Sequence, residues 1–377
     1  MSDQIEKVKS LFNCKDDTIK EFEIIDTFNN NHVLYGFMCR QPGQYYGSML
    51  ITKVNDEMCE QIVYATPKLQ YPFDKNGNFH WPEVSQVQIW EKLDGTNILA
   101  FHYNYKGKQF LTFKTRLGPV VSNHVYGEFA NMWNELLQTK TWIIGMINKN
   151  KDYNLSFELF GSRNPILIKY DVLLDTRLLF GVNRVTGEIV PPRSLNICDN
   201  TNNCFPLFRE INSLKKLTEH YNLVRADLSE ENKDVLLHEG AVYYALTVDE
   251  QWRMYKCKPE EIEKIHWSAS GIIPKNSIRA TIVNSFEDAE PDLEYILTLL
   301  REEYNENLII KSMVRIKKIL DEVQENVKTQ KKVNSFYQKA LDAGFNITVD
   351  KAATMRFLSQ YFIKSEMRKV AAMLLNK

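Results

Sequence analysis

A lysine set among turn formers stands in Glu91-Lys92-Leu93-Asp94-Gly95-Thr96-Asn97, between two stretches whose apolar residues fall at every second position, Val87/Ile89 and Ile98/Ala100. That spacing predicts a strand on either side and puts Lys92 on the loop between them, where a side chain is both exposed and held by a rigid sheet. An amine is a nucleophile only when neutral. An ordinary lysine loses its proton near pH ~10.4, so such a group needs desolvation or neighbouring cations to lower that value. The same seven residues also read as a polar hairpin turn, with Asp-Gly as turn formers.

Further segments follow in one order: KTRLGPV with Arg116, SFELFGSRNP with Glu158, IKYDVL with Tyr170 beside Asp171, HEGAVYYAL with Glu239, and YKCKP with Lys256 and Lys258. Each has a plain structural reading. KTR at 114–116 suits a solvated strand edge, Glu158 can pair with Arg163 on a surface, and Tyr170 fits the core of a strand. Lys256 and Lys258 alternate on one strand and so face one side, as two phosphate contacts should and as two solvated lysines also would.

Together these segments resemble the covalent nucleotidyltransferase superfamily of polynucleotide ligases and capping enzymes, most closely the ATP-dependent RNA ligases of phage type, over roughly residues 65–260. The resemblance implies that Lys92 becomes adenylylated, with Lys256 and Lys258 as its phosphate-binding, catalytic partners. It further implies a nucleotide site made by Glu91, Asp94 and Asn97 around the lysine, Arg116 on the nucleotide or an RNA-end phosphate, Glu158 on the ribose and Tyr170 stacked on adenine. Glu239 is implied on the metal and phosphate side, and Lys68 of TPKLQYPF is a looser match to a pyrophosphate contact. The implied cofactors are ATP, as AMP donor, and Mg²⁺ or Mn²⁺. Magnesium takes oxygen ligands and keeps several waters, so one or two carboxylates suffice and no His/Cys cage is expected.

The elements that must position these residues read as an α+β chain: an antiparallel-sheet-rich nucleotidyltransferase (ATP-grasp-like ligase) domain followed by an all-helical C-terminal domain. With 377 residues, two or three domains are expected. Residues 1–85 read as a mostly-strand extension with one short helix, packed on or part of the catalytic domain of residues 86–270. Within the latter, Phe129, Met132, Trp133, Leu136 and Leu137 mark an amphipathic helix. Strands are expected at Leu155–Phe160, Ile166–Leu174, GAVYYAL and QWRMYKCK, with hairpin turns at Tyr105–Lys108 and Arg184–Gly187 and a helix over Leu207–Tyr221. The boundary falls in SASGIIPKNS, residues 268–277, where Gly, Pro and Ser cluster. Residues 271–377 read as helices, with Ile309, Met313, Ile316, Leu320, Val323 and Val327 at spacings of four and three; this short seam reads as intramolecular packing, a homodimer being the alternative.

The formal net charge of −1 hides an asymmetry: from Lys311 onward there are 14 Lys/Arg and 6 Asp/Glu, so the first 310 residues carry −9. A basic helical end offers phosphate contacts, which give affinity without sequence specificity. Hydrophobic residues at 44% and charged residues at 25% exclude a disordered chain. Six cysteines without a C-x-x-C pair argue against a metal or redox motif and read as reduced thiols. With no signal peptide and no apolar run long enough to span a bilayer, a soluble, cytoplasmic protein without membrane partners is expected.

The reading that follows is an RNA ligase joining 5′-phosphate and 3′-hydroxyl RNA ends through lysyl-AMP. One alternative is a capping-type guanylyltransferase, disfavoured because no strand-rich barrel follows the Lys-x-Lys segment. The other is a non-catalytic RNA-binding protein on a ligase scaffold, which would require the site lysines to be degenerate, whereas they are intact.

Overall fold

Runs of largely buried residues build three antiparallel sheets in the N-terminal unit. The computed structural model describes residues 2–74, 77–123, 128–164, 168, 170–197, 204–210, 216–231, 239–259, 272–273, 275–285, 291–301, 304 and 306–375. Two compact units divide them, one holding the residues up to 259 and the other those from 272 onward.

In the first unit, helix α1 (Ser2–Phe12) precedes a meander of β1 (Ile19–Asp26), β2 (His32–Cys39), β3 (Met49–Val54) and β4 (Glu57–Val63). Next come β5 (Val84–Glu91), β6 (Thr96–Tyr105) and β7 (Lys108–Thr115), then α2 (Phe129–Thr139) and α3 (Trp142–Lys149). The unit continues with β8 (Tyr153–Phe160), β9 (Asp175–Asn183), β10 (Ile189–Val190), β11 (Phe208–Glu210), α4 (Leu217–Glu231), β12 (Ala241–Thr247) and β13 (Trp252–Cys257). One sheet has the order β10-β9-β8-β6-β7 and another β11-β5-β12-β13.

Period-two alternation assigns each strand residue to a layer. Ile98, Ala100, Leu155, Phe157 and Leu159 point from the five-stranded sheet to α2 and α3, around Trp133 and Met146. From the opposite face of that sheet Leu99, Phe180 and Val182 meet Trp90, Val242, Tyr244 and Met254 of the four-stranded sheet. The far face of that second sheet, with Ile89, Tyr243 and Tyr255, packs under Tyr221 of α4. Farther along β6, Phe101 and Tyr103 cross to Phe22, Leu34 and Met38 of the meander. Burial of a side chain such as Phe180 between the five-stranded and four-stranded sheets is worth about 1.5–3 kcal/mol, so this layering holds the two sheets face to face.

The second unit contains α5 (Lys275–Ser285), α6 (Leu293–Arg301), α7 (Glu306–Asp342), α8 (Lys351–Leu358) and α9 (Met367–Leu375). Ile309, Ile316, Leu320, Val323 and Val327 of α7 pack on Ile278 and Ile282 of α5 and Ile296, Leu297 and Leu300 of α6, so the seam is filled from within the chain. Val333 and Ala340, later on α7, join Leu358, Phe362, Val370 and Leu374 in a second core. Asp350 caps α8 by accepting the Ala353 N–H at 2.9 Å. No helix among the described residues is long and apolar enough to cross a membrane.

Several expected elements differ. The strand expected at Ile166–Leu174 is absent from its described part, residues 168 and 170–174; the strand begins at Asp175. Here Val172 and Leu173 carbonyls accept from Ser162 and Arg163 N–H at 2.8 and 3.0 Å, forming a loop against Gly161 rather than a ladder. Of the helix expected over Leu207–Tyr221, Phe208–Glu210 instead pair with β5 as an edge strand and Leu217–Tyr221 belong to α4, while residues 211–215 lie outside the described residues. Helix α3 was not anticipated: WIIGMINK is too short and too apolar to show a helical stripe. Much of the expected boundary segment 268–277 lies outside the described residues.

Candidate active site

Lys92 directly follows β5, and its backbone N–H donates to the Gly240 carbonyl at 2.9 Å. Glu91 lies opposite Ala241 across the β5–β12 ladder, and Ala241 lies opposite Cys257 across β12–β13. The end of β5, the start of β12 and the end of β13 are therefore held side by side, and Glu239 comes between two lysines. Its Oε2 accepts from Lys92 Nζ and its Oε1 lies 3.4 Å from Lys258 Nζ. Gly240 makes this approach feasible: its φ is +144°, and a Cβ there would stand 2.1 Å from the Cys257 carbonyl oxygen.

Between the two facing sheets, next to Lys92, lies a cavity. Trp90, Phe180, Val242 and Met254 form apolar walls, while Glu91, Lys92, Asn97, Arg116 and Glu158 supply polar groups. This division suits a flat apolar ring with a polar, anionic remainder. Asn97 and Glu158 lie directly opposite on β6 and β8 and so share the cavity face.

The Asn97 amide donates to Ser156 Oγ at 2.8 Å and to the Phe157 carbonyl at 3.1 Å, and accepts from Thr66 Oγ1 at 2.7 Å. It ties the segment before β5 to both strands and so shapes the cavity wall. Arg116 Nε is buried and has no hydrogen-bond partner among the described residues.

Electrostatics separate the two buried glutamates. Burial pushes the Glu158 carboxyl up, against the pull of Lys92 and Arg116 and with the added repulsion of Glu239 and Asp94, to about 7. Burial pushes Glu239 up as well, but Lys92 and Lys258 together prevail and hold it below the usual range. Glu239 is thus a carboxylate near neutrality, and Glu158 is poised between its two protonation states.

Other expected site residues lie outside the cavity lining. Asp94 accepts the Ile168 N–H at 2.7 Å, and its own N–H donates to the Tyr170 hydroxyl at 2.8 Å. Tyr170 is pinned there with its ring 4.8 Å from Phe160, in the loop that replaces the expected strand. Lys256 lies opposite Val242, on the cavity side of its sheet, with Nζ 4.3 Å from the Tyr71 ring centre. Lys68 Nζ sits 5.8 Å from the Tyr46 ring centre. The surface readings fail for two positions: Arg163 pairs with Glu135 while Glu158 is buried, and Lys114 is fully buried. Thr66, Ser156 and the apolar walls were not anticipated, since isolated residues of those types carry no motif.

Among the described residues, no group of three or more His, Cys, Asp or Glu side chains is arranged to hold a metal ion. A hard cation that keeps its waters and takes phosphate oxygens needs fewer, and Glu239 fits as a charged oxygen donor once Lys92 releases it.

No family model matches the chain, and no curated protein matches its sequence. Among solved structures it is similar to an archaeal ATP-dependent RNA ligase at 11% identity, covering 81% of this chain and 80% of that one with a TM-score of 0.47. It is also similar to a chain from Aquifex aeolicus described as an ATP-dependent DNA ligase, at 14% identity, 98% and 87% coverage and a TM-score of 0.43. A Naegleria gruberi RNA ligase with pyrophosphate matches at 14% identity, 49% and 52% coverage and a TM-score of 0.33.

Proposed function

We propose that the protein is an ATP-dependent RNA ligase that seals 5′-phosphate and 3′-hydroxyl ends through a lysyl-AMP intermediate at Lys92. The observation that carries this reading is the Lys92–Glu239–Lys258 cluster at the edge of a half-apolar, half-polar cavity. The apolar walls take the base and the polar end takes the sugar and phosphates, which puts the α-phosphate beside the amine. Glu158, Asn97 and Arg116 are the groups available to the sugar and phosphates. Tyr170 acts by holding Asp94 and the lysine loop in place, and the base is gripped by the cavity walls.

In this cluster the Lys92 Nζ donates to the Glu239 carboxylate. For attack Lys92 passes its proton to water, and the neighbouring cations Lys256 and Lys258 favour the neutral amine. The amine then forms a P–N bond and pyrophosphate leaves. Lys258 and Lys256 stabilise negative charge on the phosphates as the bond changes, where electrostatics does most of the work. A divalent cation held by Glu239 would withdraw charge from the phosphate oxygens. In the later steps the AMP moves to an RNA 5′-phosphate, and a 3′-hydroxyl displaces it.

The test is incubation with α-labelled ATP or GTP and Mg²⁺, followed by denaturing electrophoresis. Label from ATP that vanishes in Lys92→Ala is expected. An unlabelled wild type would sink the reading, and label from GTP alone would make the protein a guanylyltransferase.

A further inference from the structure

Lys114 is fully buried, yet it does not line the cavity. It sits on β7 opposite Leu99, on the face of the sheet that meets the second sheet. Its ammonium donates to the Thr115 carbonyl at 2.7 Å and to the Arg116 carbonyl at 3.1 Å. Successive carbonyls of an extended strand point to opposite sides, so turning two of them onto one donor curls the chain as β7 ends. Thr115 Oγ1 tightens the curl by accepting the Gly118 N–H at 3.0 Å. Beyond it, the Arg116 side chain enters the cavity.

Gly47 closes the arrangement from the meander side. With φ at +79°, it brings its backbone so near that a Cβ would stand 2.0 Å from the Arg116 carbonyl oxygen and 3.5 Å from Lys114 Nζ. The Arg116 backbone is thus gripped between a glycine and a buried ammonium, while its Nε is a buried donor with no acceptor among the described residues. Burying an ammonium is expensive, and an aliphatic side chain of similar length would fill the same space without that cost.

We propose that Lys114 is a positioning residue: through the Thr115 and Arg116 carbonyls it fixes the backbone so that the Arg116 guanidinium stands in the cavity with Nε–H ready for a phosphate oxygen. The identity of that anion as ATP rests on the function proposed above.

A double-mutant cycle on the full chain tests it, reading the half-saturating ATP concentration and the saturated rate of Lys92 labelling. Lys114→Met is expected to raise the half-saturating concentration at least about tenfold, the value of a hydrogen bond to a charged group, with a smaller change in saturated rate. In an Arg116→Ala background the same substitution should add nothing. A full additional effect in that background, or no effect in the wild type, overturns the proposal.

Circular dichroism checks folding. If Lys114→Met does not fold, Gly47→Ala replaces it in the cycle with the same expected pattern. If the wild type takes no label, the ligase reading fails while the cycle is read on ATP affinity by calorimetry, where the same non-additivity is required. A wild type that binds neither ATP nor pyrophosphate overturns both.

Discussion

Glu158 and Glu239 lie in one site and are tuned in opposite directions by the groups that face them. Glu158, raised from 4.5 to about 7, keeps its proton in the folded chain after the unfolded chain has lost it. Its contribution to stability is therefore complete below pH 4.5 and disappears as pH rises through about 7. Measured by urea unfolding, wild type should lose roughly 3 kcal/mol relative to Glu158→Gln across that interval, at about 1.4 kcal/mol per unit. Parallel curves for the two proteins would remove the carboxyl from the buried site. The types of these residues were legible in the sequence, because a lysine, two glutamates and a lysine pair at ordered spacings form a motif. Their tuning was not legible, because it depends on burial and on neighbours such as Lys92 and Arg116 that come from other strands.

At the scale of elements, strand pairing decides what meets at the site. The junction of β5, β12 and β13 depends on Gly240, whose conformation and contact with the Cys257 carbonyl leave no room for a side chain. Gly240→Ala is expected to push β12 from β13 and draw Glu239 away from Lys92, reducing labelling by at least about tenfold. A thermal melt near that of the wild type together with full labelling would contradict this. Strands with alternation, such as β6 and β8, and the continuous apolar run of β12 were legible beforehand, and so was the stripe of α2. The loop at 170–174 and the edge strand β11 were not: Val172 and Leu173 are apolar enough for a strand, and only the bonds from Ser162 and Arg163 show that they turn back. Lys114 misled for the related reason that a charged residue on a strand is usually solvated.

For the molecule as a whole, the near-zero net charge sums an acidic first part and a basic end. Lys317, Lys318 and Lys331 of α7 are exposed and available to a phosphate backbone. If the helical unit holds a single strand, replacing these three with alanine should flatten the dependence of log K on log salt by roughly 0.7 for each lysine that contacts RNA. Lys92 labelling should be unchanged. Fluorescence anisotropy with a short single-stranded RNA at several salt concentrations measures the slope, and an unaltered slope would move the RNA contact elsewhere.

Helix α7 runs for 37 residues without a break, a length of about 55 Å at 1.5 Å per residue. One half is embedded with α5 and α6, and the other half with α8 and α9. A rod clamped in two places transmits torque. Any twist or tilt imposed on α8 and α9 must reappear at α5 and α6 unless the rod bends, and among its residues there is neither glycine nor proline at which to bend. The helical unit therefore has the mechanics of a strut: a load applied at its far end is carried along its whole length.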